Sequence, residues 1–163
     1  MNSLVIYYSL DWNTKRISEI IWKEIWADFE ALETIKPLVK SDSFMKYIWW
    51  WRMVMMNEIP EIKPLKNEFE KYDLIIIWTP VWAWTYSPPI AAFFEKYHIK
   101  GKKVAIFCCH WWWPGKTFDK MKEKLRWNEI IWEINFNEPL KKDTEIQFEK
   151  AIVWIKGIIK YLT

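Results

Sequence analysis

The chain has 163 residues (20.2 kDa), 24 Lys and Arg against 21 Asp and Glu, and a pI near 8.7. That length suffices for one domain spanning 1–163 with a full core, so no disulfide or metal staple is needed. The cations are scattered without a basic block, which does not indicate nucleic acid; no apolar run approaches about 18 residues and no signal layout opens the chain, so a soluble, cytoplasmic protein with no membrane partner is expected.

One feature of the composition is out of line, with Gly 3 against Trp 15. Average usage of about 7% Gly would give roughly eleven glycines. Several tryptophans stand where turn geometry calls for glycine: Trp12, Trp26, Trp78, Trp111 to Trp113 and Trp127. Restoring about ten tryptophans to glycine would return both counts to ordinary usage. UGA means tryptophan in one variant genetic code and glycine in another. A UGA-glycine gene read with the wrong table leaves this pattern, and the richness in Lys, Ile, Asn and Phe fits AT-rich DNA.

In chain order, Leu4 to Tyr8 is a continuous apolar run of the kind buried on both faces of a parallel sheet. The turn SLDWNT (Ser9 to Thr14) follows, and from Asn13 to Trp26 the apolar residues Ile17, Ile20, Ile21 and Ile25 give the spacing of an amphipathic helix. A strand, a hydroxyl-rich turn and a helix N-terminus aim free N–H groups at one spot, which suits a phosphate. Ser9, Asn13 and Thr14 can add side-chain donors there. Asp11 braces the turn, since a carboxylate repels phosphate, and Trp12 holds the place where a glycine is expected.

Ala27 to Lys36 reads as a second strand, and Ser41 to Asn57 as a helical region capped by Ser41 or Ser43, apolar nearly all round in its second half. Pro60 and Pro64 extend the connector, and Asn67 to Tyr72 makes a short helical turn. Asp73 to Ile77 is the clearest buried strand. It runs into TPVWAWTYSPP, expected as a loop fixed by its prolines, with Pro88 or Pro89 opening a helix from Ile90 to Tyr97.

Lys103 to Cys108 is a fourth strand, HWWWPGKT a loop, and Pro114 or Gly115 to Arg126 a helix. Glu129 to Phe136 is a fifth strand and Asp143 to Tyr161 a last helix, capped by Asp143 or Thr144. Strands alternating with helices predict a doubly wound α/β sheet, whose ligand site lies beyond the carboxyl ends of the strands at the switch point. That brings together SLDWNT, TPVWAWTYSPP and CCHWWWPGKT.

Rival chemistries are weaker. Cys108 and Cys109 are sequence neighbours, so they read as buried thiols rather than a disulfide. Cys109 and His110 lack an acidic orienter, and two histidines with adjacent cysteines make no metal set, so none is expected. In HWWWPGKT the first glycine of a P-loop would fall at His110, which argues against an ATPase.

With these three loops in hand, the whole chain resembles the flavodoxin family. YYSLDWNTKRIS resembles its FMN phosphate loop, IIIWTPVWAWTYSPPIAAF the loop beside the flavin ring, and FCCHWWWPGKTF the third loop. The resemblance implies a three-layer flavodoxin-like α/β fold with a five-stranded parallel sheet in the order 2-1-3-4-5, FMN as cofactor, and electron transfer. Its basic charge departs from the acidic carriers of the family. The implied site is Ser9, Asp11, Trp12, Asn13 and Thr14 around the phosphate; Pro80, Val81, Trp82, Ala83, Trp84 and Tyr86 at the ring; and Cys109, His110, Trp111 and Trp112 at its pyrimidine edge. Trp82, Trp84 and Tyr86 can supply aromatic cover, which disfavours the negatively charged reduced ring. The expected protein is a one-electron carrier, a monomer or weak dimer, working between a donor reductase and an acceptor enzyme. An NAD(P)H-dependent flavin or quinone reductase on the same fold is the alternative. A third is an interaction module built on Trp49 to Trp51 and Met53 to Met56.

Overall fold

The computed structural model describes residues 2–9, 17, 19–21, 24–38 and 45–163. Among these, the strands are β1 (Ser3–Tyr7), β2 (Asp28–Ala31), β3 (Leu74–Trp82), β4 (Thr85–Tyr86), β5 (Lys103–His110) and β6 (Glu129–Asn137). The helices are α1 (Met45–Met55), α2 (Pro88–Lys96), α3 (Thr117–Lys124) and α4 (Thr144–Leu162), with a 3-10 turn at Phe69–Lys71. Residues 17, 19–21 and 24–25 are also helical. The parallel strands run β2-β1-β3-β5-β6, which is the expected 2-1-3-4-5 order once the two-residue β4, paired antiparallel to β3 alone, is set aside.

The apolar runs explain the layering. Successive residues of a strand face opposite ways, so β1, β3 and β5 feed two cores at once. Leu4, Ile6, Ile75, Ile77, Val104 and Ile106 pack with Ile90, Phe93, Met121 and Leu125 on one face. Val5, Ile76, Trp78, Ala105 and Phe107 pack on the other with Ile17, Ile21, Trp154, Ile155 and Ile158. Both sides of the sheet are thereby covered by helices, as a parallel sheet requires.

Several boundaries move, each for a local reason. The second strand shortens to Asp28–Ala31, and Thr34 instead makes an isolated antiparallel bridge with Ile62. The buried Glu30 carboxylate accepts the N–H groups of Lys66 (3.0 Å) and Asn67 (2.9 Å) and the Asn67 side-chain amide (2.8 Å), so the connector covers the edge strand. Asp143 does stand at the α4 N-cap, but in the left-handed region (φ 46) and without a side-chain capping bond; its carbonyl accepts the Gln147 N–H (2.9 Å). The caps expected at Ser41 or Ser43 lie outside the described residues.

The largest departure is in the third strand, which continues from Leu74 to Trp82 rather than stopping at Ile77. Pro80 is thus a strand residue, opposite Cys109 of β5. It lies beyond the last β1 partner of β3, the pair Tyr7 and Trp78, where the strand has become an edge and a missing N–H is tolerated.

Trp78 also differs from expectation. Its backbone is extended within β3, it has no exposure, and its ring stacks between Tyr7 (5.7 Å, 17°) and Phe107 (5.0 Å, 11°). Nothing in that conformation calls for glycine. Trp111, Trp112, Trp113 and Trp127 likewise have no positive φ, whereas Trp26 does (φ 52) and is 82% exposed. Trp12 lies outside the described residues.

Candidate functional site

The segment after Thr79 is a β-hairpin. Val81 pairs with Tyr86 and Trp82 with Thr85, leaving Ala83 (φ 43) and Trp84 (φ 62) as a two-residue turn. Positive φ at both positions is the type I′ geometry that suits the right-handed twist of the strands and normally favours Asn-Gly. Trp84 therefore occupies the glycine position of the turn, with 61% of its surface exposed.

Both ends of the hairpin are pinned. At its neck the buried Thr79 hydroxyl accepts the Ser87 N–H (2.9 Å) and donates to the Pro80 carbonyl (2.8 Å), with the Ser87 hydroxyl 3.3 Å away. Ser87 in turn opens α2: its carbonyl accepts the N–H groups of Ile90 (3.0 Å) and Ala91 (3.1 Å), and Pro88 and Pro89 fill the first helical positions. At its tip the Trp84 carbonyl accepts the Lys116 N–H (3.0 Å).

The strand β5 carries two more residues than expected, so Cys109 and His110 belong to its carboxyl end rather than to the loop. His110 is buried, with Nε2 2.9 Å from Asn135 Oδ1. Its Nδ1 and the neighbouring Asn137 Oδ1 are buried without a hydrogen-bond partner among the described residues. Trp111, Trp112 and Trp113 follow, all exposed. The chain then turns at Pro114 and Gly115, where the Pro114 carbonyl accepts the Thr117 hydroxyl (2.6 Å) before α3 begins.

The end of β1 adjoins this region. Tyr8 is buried and meets Trp82 edge to face at 5.9 Å. Ser9 is described and partly buried; Asp11, Trp12, Asn13 and Thr14 lie outside the described residues. Of the ring candidates, Trp82 is 7% exposed and forms part of the core wall, whereas Tyr86 is half-buried against Phe94 (5.4 Å). The structure thus sets Pro80 to Tyr86 beside Cys109 to Trp112 at one sheet edge.

The electrostatics there are mild. Burial pushes the Tyr8 and Tyr86 hydroxyls up and the Cys109 thiol far up, with the Trp78 indole pulling the thiol back slightly. Both cysteines are free and buried, as the sequence suggests, and a neutral buried thiol is a poor nucleophile. Glu138 is held below the ordinary carboxylate value by its hydrogen bond to Lys142, against the pull of burial, with Lys141 helping. Lys142 also donates to the Trp111 carbonyl (3.5 Å). Among the described residues no group of three His, Cys, Asp or Glu could hold a metal, and no helix is long and apolar enough to cross a membrane.

A cleft of about 430 Å³ lies elsewhere, lined by Asp73, Gly101, Lys102, Lys103 and Leu162 where β3 and β5 begin. It is at the opposite, amino edge of the sheet. The Lys102 ammonium is already engaged by the carbonyls of Glu70 (2.6 Å) and Tyr72 (2.8 Å), so the cleft takes no part in this site.

The family model described as flavodoxin matches residues 2–156. The chain belongs to the flavodoxin family. Solved structures agree on the fold of this flavodoxin-family chain. A flavoprotein from Lactobacillus acidophilus, crystallised in complex with FMN, is 23% identical with a TM-score of 0.71, covering 88% of this chain and 98% of its own. A Bacteroides eggerthii protein named as a flavoprotein is 21% identical, TM-score 0.75, over 97% and 98%. A flavodoxin from the domain Archaea is 16% identical, TM-score 0.56, over 97% and 99%. No curated protein sequence matches the chain.

Sequence reasoning missed Thr79, Ser87 and Gly115, because the hairpin they brace carries Ala-Trp in place of a recognisable turn pair. The signal that was present is the hydroxyl pair Thr79 and Ser87, eight residues apart and each next to a proline.

Proposed function

We propose that this flavodoxin-family chain binds FMN at the carboxyl edge of its sheet and serves as a one-electron carrier between redox proteins. The observation that carries the reading is the pinned hairpin Pro80 to Tyr86 lying beside the end of β5, at the carboxyl ends of the strands where ligands of such sheets bind. The residues fit a flavin. Trp84, Trp111 and Trp112 are exposed, and at the carboxyl ends of β5 and β6 the buried His110 Nδ1 and Asn137 Oδ1 have no hydrogen-bond partner among the described residues. Apolar cover with a few unsatisfied polar groups is the make-up of a planar-cofactor site.

When bound, FMN supplies a ring that takes up and returns electrons one or two at a time. The chain's part is to hold and screen it. Ser9, Asn13 and Thr14 bind the phosphate with the turn braced by Asp11 and containing Trp12. Pro80, Val81, Trp82, Ala83, Trp84 and Tyr86 position the ring, with Trp84 and Tyr86 restricting water. The backbone from Cys109 through His110 and Trp111 to Trp112 faces the polar edge. The fold is a single cytoplasmic domain that docks a donor reductase and an acceptor enzyme in turn, as a monomer or weak dimer.

A second reading, an NAD(P)H-dependent flavin or quinone reductase, is favoured by one feature. Ile48, Trp51 and Met55 expose an apolar face of α1 that continues into Met56 and Ile59, enough for a substrate wall or a contact with a second subunit. Potentiometric titration of the FMN-loaded protein separates the two. Two resolved one-electron steps with no NAD(P)H consumption support the carrier, and steady NAD(P)H oxidation with a quinone supports the reductase.

A further inference from the structure

The hairpin and the loop after β5 meet closely, backbone against backbone, at Trp84. Gly115 has φ +61, and a Cβ added there would lie 2.6 Å from Trp84 Cβ, 2.7 Å from its carbonyl oxygen and 2.8 Å from its Cα. Two of these three neighbours are main chain. The next residue, Lys116, donates its N–H to the same Trp84 carbonyl (3.0 Å). The glycine therefore answers two demands, a left-handed backbone and a backbone approach too close for any side chain. Behind it, Thr117 is fully buried and ties the loop to Pro114 through a 2.6 Å bond. At the other end of the hairpin, Thr79 is fully buried and holds the Ser87 N–H.

We propose that Gly115 and Thr79 are positioning residues for the flavin ring: they latch the hairpin Pro80 to Tyr86 to the loop after β5 so that the two move as one jaw. This rests on the flavin reading above. Neither residue needs to touch the ring. Gly115 lets the tip of the hairpin seat on the start of α3, and Thr79 fixes its neck, so Trp84 and Tyr86 stand at a set distance from the Cys109 to Trp112 backbone. A site whose two walls come from different strands keeps its geometry only if a second layer of contacts joins them.

The latch can be read without flavin. In the apo protein, Gly115→Ala should speed amide exchange at Lys116 and along the hairpin together, and Thr79→Val should do the same from the neck. Exchange that stays at the wild-type rate in both variants overturns the latch. The positioning role is read with two ligands, FMN and riboflavin, which share the ring but not the phosphate. Both variants should weaken both ligands by the same factor, roughly tenfold, leaving their affinity ratio unchanged, and should shift the midpoint potential of bound FMN. Thr79→Ser, which keeps the acceptor, should restore wild-type binding. In the apo protein, Trp84→Gly placed on Gly115→Ala removes the nearest clash and should bring amide exchange at Lys116 back toward the wild-type rate. If exchange speeds up but affinities and potential stay at wild-type values, the residues are structural only and the positioning role fails. Loss confined to FMN would place the effect in the phosphate turn and also overturn it. A wild-type protein that binds neither flavin overturns the flavin reading itself, and with it the positioning role. Should Gly115→Ala not fold, the Val and Ser variants of Thr79 carry the same comparison.

Discussion

Trp78 and Trp84 lie six residues apart on the same hairpin-bearing segment and stand at opposite ends of what a tryptophan can do for a fold. Trp78 has extended backbone, no exposure, and a ring sandwiched between Tyr7 and Phe107 at the centre of the sheet. Trp84 is 61% exposed and held at φ +62, a conformation that costs a residue with a Cβ about 1–2 kcal/mol. The middle of the sheet uses the indole as core volume, whereas the carboxyl edge tolerates it for the sake of a turn. Stability is therefore invested in the sheet, and strain collects where the ligand is proposed to bind.

That contrast can be broken most forcefully at its buried end. Trp78→Ala should destabilise the fold by about 3–5 kcal/mol, because it opens a cavity between two aromatic neighbours, and a shift in the denaturant midpoint at unchanged slope measures it. Glu30→Ala should cost less, about 1–3 kcal/mol, by leaving the Lys66 and Asn67 donors without their buried acceptor. At the strained end the sign reverses. Trp84→Gly relieves φ +62 and should raise stability by about 1 kcal/mol, a rise in Tm of about 2–4 °C. A fall in Tm would show that the exposed indole contributes packing that outweighs the strain.

The smallest effect is a pH dependence beside the site. Glu138 is ionised in the fold to lower pH than in the unfolded chain because Lys142, and then Lys141, bind its carboxylate. Near the carboxylate range the unfolded state thus binds more protons, and stability rises with pH. The contribution is fully present above the ordinary glutamate pKa and is lost as pH falls through the lowered folded value. Glu138→Gln should flatten this acid limb of the denaturation curve, and an unchanged limb would remove Glu138 from the account.

The sheet was legible in the sequence because its strands are uninterrupted apolar runs: LVIYY, LIII and VAIFC each predict a buried parallel strand, and their alternation with amphipathic helices fixes the layers. The hairpin was not legible. Its turn reads Ala-Trp, which carries none of the propensity for positive φ that Asn-Gly announces, and its prolines suggested a loop although Pro80 sits in a strand that has become an edge. The glycine-for-tryptophan reading fares unevenly by position. Trp26 and Trp84 have the backbone of glycine sites, the second not foreseen, while Trp78 and Trp111 to Trp113 do not. Reading the codons at 26 and 84 checks the genetic-code explanation, which expects UGA at both and is contradicted by UGG. Of the three candidate loops, the carboxyl ends of β3 and β5 are brought together as expected, and the turn Asp11 to Thr14 lies outside the described residues.

Binding of FMN at the carboxyl edge is read from amide hydrogen exchange of the wild-type protein with and without saturating FMN. Added protection is expected across 79–87 and 109–117, at the carboxyl edge, with none at the amino edge around Asp73 and Gly101 to Lys103. Protection at the amino edge, or no change anywhere, would contradict it.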